Sequence, residues 1–165
     1  MALIIEDGSL STPSANTYAT ANYVTTYCSN LGLSEWGEGY TETWETAILR
    51  AMAYIESRNF KGIKADYDEN VLKWPRAGVY DEDGYAIDDD EIPENLKRAL
   101  ARAAYEEYID PGVLQRNLTR DDFTTSESVG PISMSYQQGK ASTIFRAIDA
   151  YLEGLVEGGN TVYRT

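Results

Sequence analysis

The stretch "KWPRAGVYDEDGYAIDDDEIPENLKRAL", residues 73–100, decides how the chain is read. Its second half carries a helix signature. Pro93 suits a first helical turn, where its missing N–H needs no partner. Leu96, Leu100, Ala103 and Ala104 fall on one face of a helix running to about Ile109, and "DPG" at 110–112 stops it. The first half is different. Pro75 fixes its own φ and drives Trp74 toward an extended conformation, which sets the direction of the indole. Gly78 permits a turn, and "DEDG" at 81–84 is a turn signal. A connection this stiff, with aromatic anchors, is more than a solvent loop requires. Two readings stand: packing within the chain, and a surface for another subunit.

Outward from that stretch the helical spacing recurs. Upstream, Tyr18, Ala21, Val24, Tyr27, Cys28 and Leu31 repeat at three and four, with Asn16 or Thr17 as cap and Gly32 as stop. Trp44, Ile48, Met52 (or Ala51) and Ile55 form the stripe of a second helix capped by Thr41 or Thr43. Residues 59–72 read as loop. Downstream, Val129, Ile132, Met134 and Tyr136 include a period-two run typical of strand. Ile144, Phe145, Ile148, Tyr151, Leu152 and Leu155 mark a last helix over about 141–156. The expectation is a mainly α fold, a small bundle of about four helices with a short β-hairpin or strands. One domain would cover 1–157, with a long loop at about 59–92, and 158–165 would form a flexible, extended tail.

Length and composition agree with a single packed domain: 165 residues, 42% of them hydrophobic. No apolar run approaches the roughly 20 residues of a bilayer span, so no membrane partner is expected. The opening "MALIIEDGSL" lacks the basic region of a signal peptide. A protein made and used in a cytoplasm, or in something assembled there, is expected. Cys28 is the single cysteine and falls in a helical apolar pattern, which reads as a buried core thiol.

The chain has no histidine. That excludes Ser-His-Asp and Cys-His nucleophile systems and the HExxH zinc site. A lone cysteine excludes zinc ribbons and iron–sulfur clusters. "DYDEN" places Asp66, Asp68 and Asn70 at positions one, three and five of a calcium loop. Val71 then stands where a glycine is required and Ala77 where a bidentate glutamate is required. The acidic block Asp81, Glu82, Asp83, Asp88, Asp89, Asp90 and Glu91 has no spacing that fixes a metal cage. Carboxylates able to do acid–base work abound in so acidic a chain, and none is marked out. The expectation is no catalytic residue, no metal, no cofactor and no enzymatic activity.

A net charge of −13 argues against wrapping nucleic acid, which depends on clustered Lys and Arg. Against that background, Arg58, Lys61, Lys64, Lys73 and Arg76 interleave with Phe60, Tyr67 and Trp74. One reading is a single-strand DNA surface, with Lys61, Lys64 and Lys73 facing the strand. The other packs the aromatics against the helices while the cations balance Asp81 to Glu91.

The order "ANTYAT", "WETAILRAMAYIESR", "WPRAGVYDEDG", "IPENLKRAL", "SVGPISMSY" and a C-terminal helix with a Gly-rich tail covers about Ala15 to Arg164. It resembles a group of small tailed-phage proteins, the head–tail connector (head completion, or adaptor) proteins, a set also labelled "putative DnaT-like single-strand DNA binding". "WPR" followed by Gly-Val-Tyr, and later Ile-Pro, is the most specific part. The resemblance implies a structural virion protein, assembled in the host cytoplasm and housed in the neck. Such proteins form a ring, commonly of twelve copies, beneath the portal protein and above the next neck or tail protein. The double-stranded genome passes through the ring without sequence-specific contact, and a neutral or repulsive wall lets it slide.

The resemblance brings no catalytic residue. On this reading the subunit and portal contacts fall on Trp74, Pro75, Arg76, Tyr80, Asp88, Asp89, Asp90, Tyr163 and Arg164. The basic stretch 58–76 would pair with the acidic stretch 81–94 of a neighbour, head to tail. Trp74→Ala would then weaken assembly more than folding. The alternative is a single-stranded DNA-binding protein of phage replication.

Overall fold

The computed structural model describes residues 2–8, 12–37, 41–65, 71–81, 83–115, 126–129, 132–135 and 145–158, with backbone alone for 41–42, 126–129 and 132–135. Four helices follow one another: α1 (Ala21–Asn30), α2 (Thr41–Glu56), α3 (Glu94–Ile109) and α4 (Arg146–Leu152). Two short antiparallel ladders accompany them, β1 (Ile63–Lys64) with β2 (Arg76–Ala77) and β3 (Ser126–Val129) with β4 (Ile132–Ser135). The fold is mainly α with small hairpins, as the periodicity implies.

α3 is the central helix and packs against α1, α2 and α4. Leu96, Leu100, Ala103 and Ala104 are inaccessible to solvent, and so are Ala99 and Ala101. Four alanines let three neighbours approach the axis closely, so this helix is buried on more than one stripe. Ile48, Ala51, Met52 and Ile55 of α2, Val24 and Cys28 of α1, and Ile148 and Leu152 of α4 complete the core. Pro93 sits at the cap, one residue ahead of the first helical turn, and its carbonyl accepts from Leu96 and Lys97 N–H. In the last turn of the helix, Glu107 is buried and its two carboxylate oxygens accept from Gly112 and Leu114 N–H (2.7 and 3.0 Å). Those bonds fold the "DPG" turn back onto α3, a role that no spacing reveals.

α1 begins later than its apolar pattern suggests. Thr20, not Asn16 or Thr17, is the cap, accepting from Tyr23 N–H at 3.0 Å. Residues 16–17 are held instead by the N-terminal segment. Ile4 N–H donates to the Asn16 side chain, Thr17 N–H to Ile4 carbonyl, and Glu6 N–H to Thr17 carbonyl. These contacts leave Tyr18 buried but outside the helix. The helix ends as expected: Gly32 at φ +67° directs its own N–H to Ser29 carbonyl and that of Leu33 to Cys28 carbonyl.

α4 is shorter than the apolar run. Arg146 starts it, Glu153 caps it, and Leu155 is buried past its end. Residues 141–144 lie outside the described residues. The period-two run Val129, Ile132 and Met134 does form a hairpin, with Val129 opposite Ile132 and Glu127 opposite Met134. Tyr136, the tail beyond Gly158 with Tyr163 and Arg164, and the "DYDEN" segment lie outside the described residues. Residues 59–72, expected to be loop, contribute β1, whose register is Ile63 to Ala77 and Lys64 to Arg76.

Candidate functional site

The long connection between α2 and α3 divides into an inner and an outer half. The inner half is locked into the protomer. The Trp74–Pro75 peptide is cis, and Trp74 has no solvent exposure. Its ring meets Phe60 edge-on, centroids 5.9 Å apart. Trp74 N–H donates to the Tyr18 hydroxyl (3.1 Å), the Tyr18 hydroxyl donates to Glu56 Oε1, and Lys73 N–H donates to Glu56 Oε2 (3.0 Å). One half-buried carboxylate at the end of α2 therefore joins the α1 flank to the Trp-Pro step. Burial pushes the Tyr18 phenol well above its ordinary value and raises the Glu56 carboxyl, against the opposing pull of its hydrogen bonds.

The neighbouring cations turn inward too. The Arg76 guanidinium donates to the carbonyls of Phe60, Lys61, Gly62 and Lys73. Its planar set of donors suits this convergence of acceptors. Gly62 makes the fit possible. It holds φ +71°, and a Cβ there would lie 2.4 Å from the Ala77 carbonyl oxygen. Lys73 Nζ donates to Arg58 carbonyl (2.7 Å). Arg58 pairs with Asp149 at 2.9 Å, donates to the Tyr54 hydroxyl, and lies over the Tyr54 ring.

These contacts correct two expectations. Trp74 and Pro75 are enclosed by the protomer's own core and offer no surface to a partner. Arg58, Lys73 and Arg76 bind groups of their own chain, so the basic stretch as a whole does not stand ready to meet the acidic one. Of the lysines assigned to a DNA strand, Lys73 is engaged, Lys64 is half-buried near Glu6 and Glu56, and Lys61 is exposed. Phe60 and Trp74 pack inside, and Tyr67 lies outside the described residues.

The outer half faces solvent. Tyr80 and Ala86 pair across a small hairpin closed by Asp81 N–H to Tyr85 carbonyl and Ile87 N–H to Val79 carbonyl, both 2.9 Å. The Asp81 carboxylate accepts from Asp83 and Tyr85 N–H and stiffens the tip. Val79 is buried and Ile87 packs on the core, so the hairpin is anchored at its base. Tyr80 and Tyr85 are 58% and 73% exposed, a large apolar area left uncovered on a rigid support. Ile63 and Val71 are exposed as well. Asp88, Asp89, Asp90 and Glu91 form an exposed turn with no cation partner among the described residues. The N-terminal segment braces that turn. Gly8 holds φ +93°, and a Cβ on it would fall 1.8 Å from the Asp90 carbonyl oxygen.

Sequence reasoning assigned Tyr80 and the aspartates to the surface but passed over Tyr85, Ile63 and the Tyr18–Glu56 latch. Tyr85 was legible as an aromatic beside a turn signal. The latch joins residues 38 positions apart and leaves no local pattern. Among the described residues no group of three or more His, Cys, Asp or Glu is placed to hold a metal, and no helix is long and apolar enough to cross a membrane.

Fold and surface together define a small mainly α domain that displays a stiff aromatic and acidic connection. The whole chain, residues 1–165, matches the family described as "Putative DnaT-like ssDNA binding protein", and it belongs to that family. No curated protein and no solved structure matches it. The family description coincides with one of the two labels that the "WPR" resemblance brought; it names single-stranded DNA and does not mention a capsid, portal or tail.

Proposed function

We propose that the chain is a structural virion protein without enzymatic activity, a head–tail connector that assembles as a ring beneath a portal. One observation carries this reading over its rival. The cations Arg58, Lys73 and Arg76 are turned into the protomer, while Tyr80, Tyr85, Ile63 and the acidic turn are turned out. An exposed surface of aromatic, apolar and acidic groups suits a protein partner and repels a phosphate backbone. Mixing the purified chain with its portal protein and imaging the product by negative stain tests the reading. Stacked rings carrying both proteins are expected; portals that remain bare at saturating chain would contradict it.

The second reading is a single-stranded DNA-binding protein of phage replication, and the family description favours it directly. Its surface would be Lys61 and Lys64 with the exposed Tyr80 and Tyr85 as stacking platforms. Under that reading, Lys61→Glu with Lys64→Glu lowers retention of a labelled oligonucleotide and flattens its salt dependence. Under the connector reading both changes leave the weak retention as it was.

A further inference from the structure

A second feature lies far from the connection. Thr43, Thr46 and Arg50, one turn apart along α2, face Glu107, Tyr108 and Pro111 at the end of α3 across a notch of about 320 Å³. Arg50 is exposed and makes no ion pair or hydrogen bond among the described residues. Arg58, Arg76, Arg98 and Arg102 each have a partner, whereas the exposed Arg146 shares with Arg50 the lack of one among the described residues. Both Glu107 oxygens in the notch wall already accept backbone N–H groups, which fixes that carboxylate on its own turn. The notch thus offers an unpaired guanidinium flanked by Thr43, Thr46 and the half-buried Tyr108. This is the chemistry that receives a carboxylate.

The acidic turn Asp88–Glu91 is the complementary element. It precedes the first residue of α3, whereas the notch sits at the last turns of that helix. Sixteen residues of α-helix separate them by about 24 Å. Within one protomer turn and notch cannot meet. Two unlike patches at opposite ends of one rigid helix are what a head-to-tail contact between copies requires.

We infer that the Arg50 notch receives the Asp88–Glu91 turn of a second copy of this chain. The contact replaces the pairing of residues 58–76 with 81–94, where Arg58, Lys73 and Arg76 are engaged internally, and it rests on the connector reading for its biological setting. Charge reversal tests it on the full-length chain. Sedimentation velocity over a concentration series is expected to show self-association of the wild type. R50E and a variant with Asp88, Asp89 and Asp90 all changed to Lys should each weaken it by about tenfold or more, since like charges are then juxtaposed. Mixed in equal amounts, the two variants should regain association, because each notch then meets a turn of opposite sign.

A wild type that stays monomeric throughout, R50E that associates as the wild type does, or a mixture no stronger than its components would overturn the inference. Circular dichroism confirms folding of each variant, and the mixing arm separates a misfolded variant from a broken contact. If R50E instead lowers oligonucleotide retention and leaves association unchanged, the notch is a phosphate site and the inference fails. Rings on the portal would still form if the contact were wrong and the connector reading right, so the two failures are distinguishable.

Discussion

Residues 73–77 and residues 79–91 belong to one connection, yet they solve opposite problems. The first segment brings an indole, a carboxylate partner and a guanidinium to groups of its own chain. Trp74 is wholly buried, and Arg76 is bonded to four carbonyls. The second carries Tyr80, Tyr85 and Asp88–Glu91 into solvent on an anchored hairpin. A connection that turns Lys73 and Arg76 inward and leaves Asp88–Glu91 outside has made the inner segment a structural element and the outer one a surface. Substitutions in the two should therefore part company: inner ones act on the monomer, outer ones on what the monomer meets.

The largest effect is expected from Trp74→Ala. Removing a buried indole leaves a cavity and costs about 3–5 kcal/mol, read as a fall in the urea midpoint of the monomer. This reverses the expectation that the substitution would act chiefly on assembly. A midpoint unchanged with assembly lost would erase the division between the segments. Tyr18→Phe comes next. It leaves the Glu56 carboxylate and the Trp74 N–H each short of a partner, at about 1–3 kcal/mol. Arg76→Lys removes the forked geometry and should cost about 1–2 kcal/mol, with faster amide exchange confined to 59–77. Exchange that spreads over the four helices would contradict a local clamp.

A pH series sharpens the inner half. Burial raises the Glu56 carboxyl in the folded state above its ordinary 4.5. The folded form then holds the proton more tightly than the unfolded form, so this group's contribution is greatest below 4.5. It declines as pH rises from there through the folded value. Glu6 shifts in the same direction, also by burial. Comparing urea midpoints of the wild type and Glu56→Gln across that window isolates Glu56: the wild type should decline more steeply with rising pH, and parallel curves would contradict the buried-carboxylate account. The smallest stability effect belongs to the outer half. Reversal of Asp88, Asp89 and Asp90 should leave the monomer midpoint within about 0.5 kcal/mol while changing assembly.

How much of this was legible in the sequence follows the range of the interactions. Helix faces show in a single window, so Leu96, Leu100, Ile48 and Ile148 were assigned correctly as core. Gly32 and "DPG" marked helix ends because their backbone requirements are local. The start of α1 was misplaced because Asn16 and Thr17 bond to a segment twelve residues earlier. The cations of 58–76 read as a patch because charge spacing does not say which way a guanidinium turns. Only the folded carbonyls of Phe60, Lys61, Gly62 and Lys73 decide that for Arg76.

Electron cryomicroscopy of a capsid vertex would examine the outward-facing half in its working place. The account predicts a ring of this domain directly below the portal, each Asp88–Glu91 turn seated against α2 of the adjacent copy. Particles complete at the vertex yet lacking this chain, with the chain recovered instead on single-stranded replication intermediates, would contradict it.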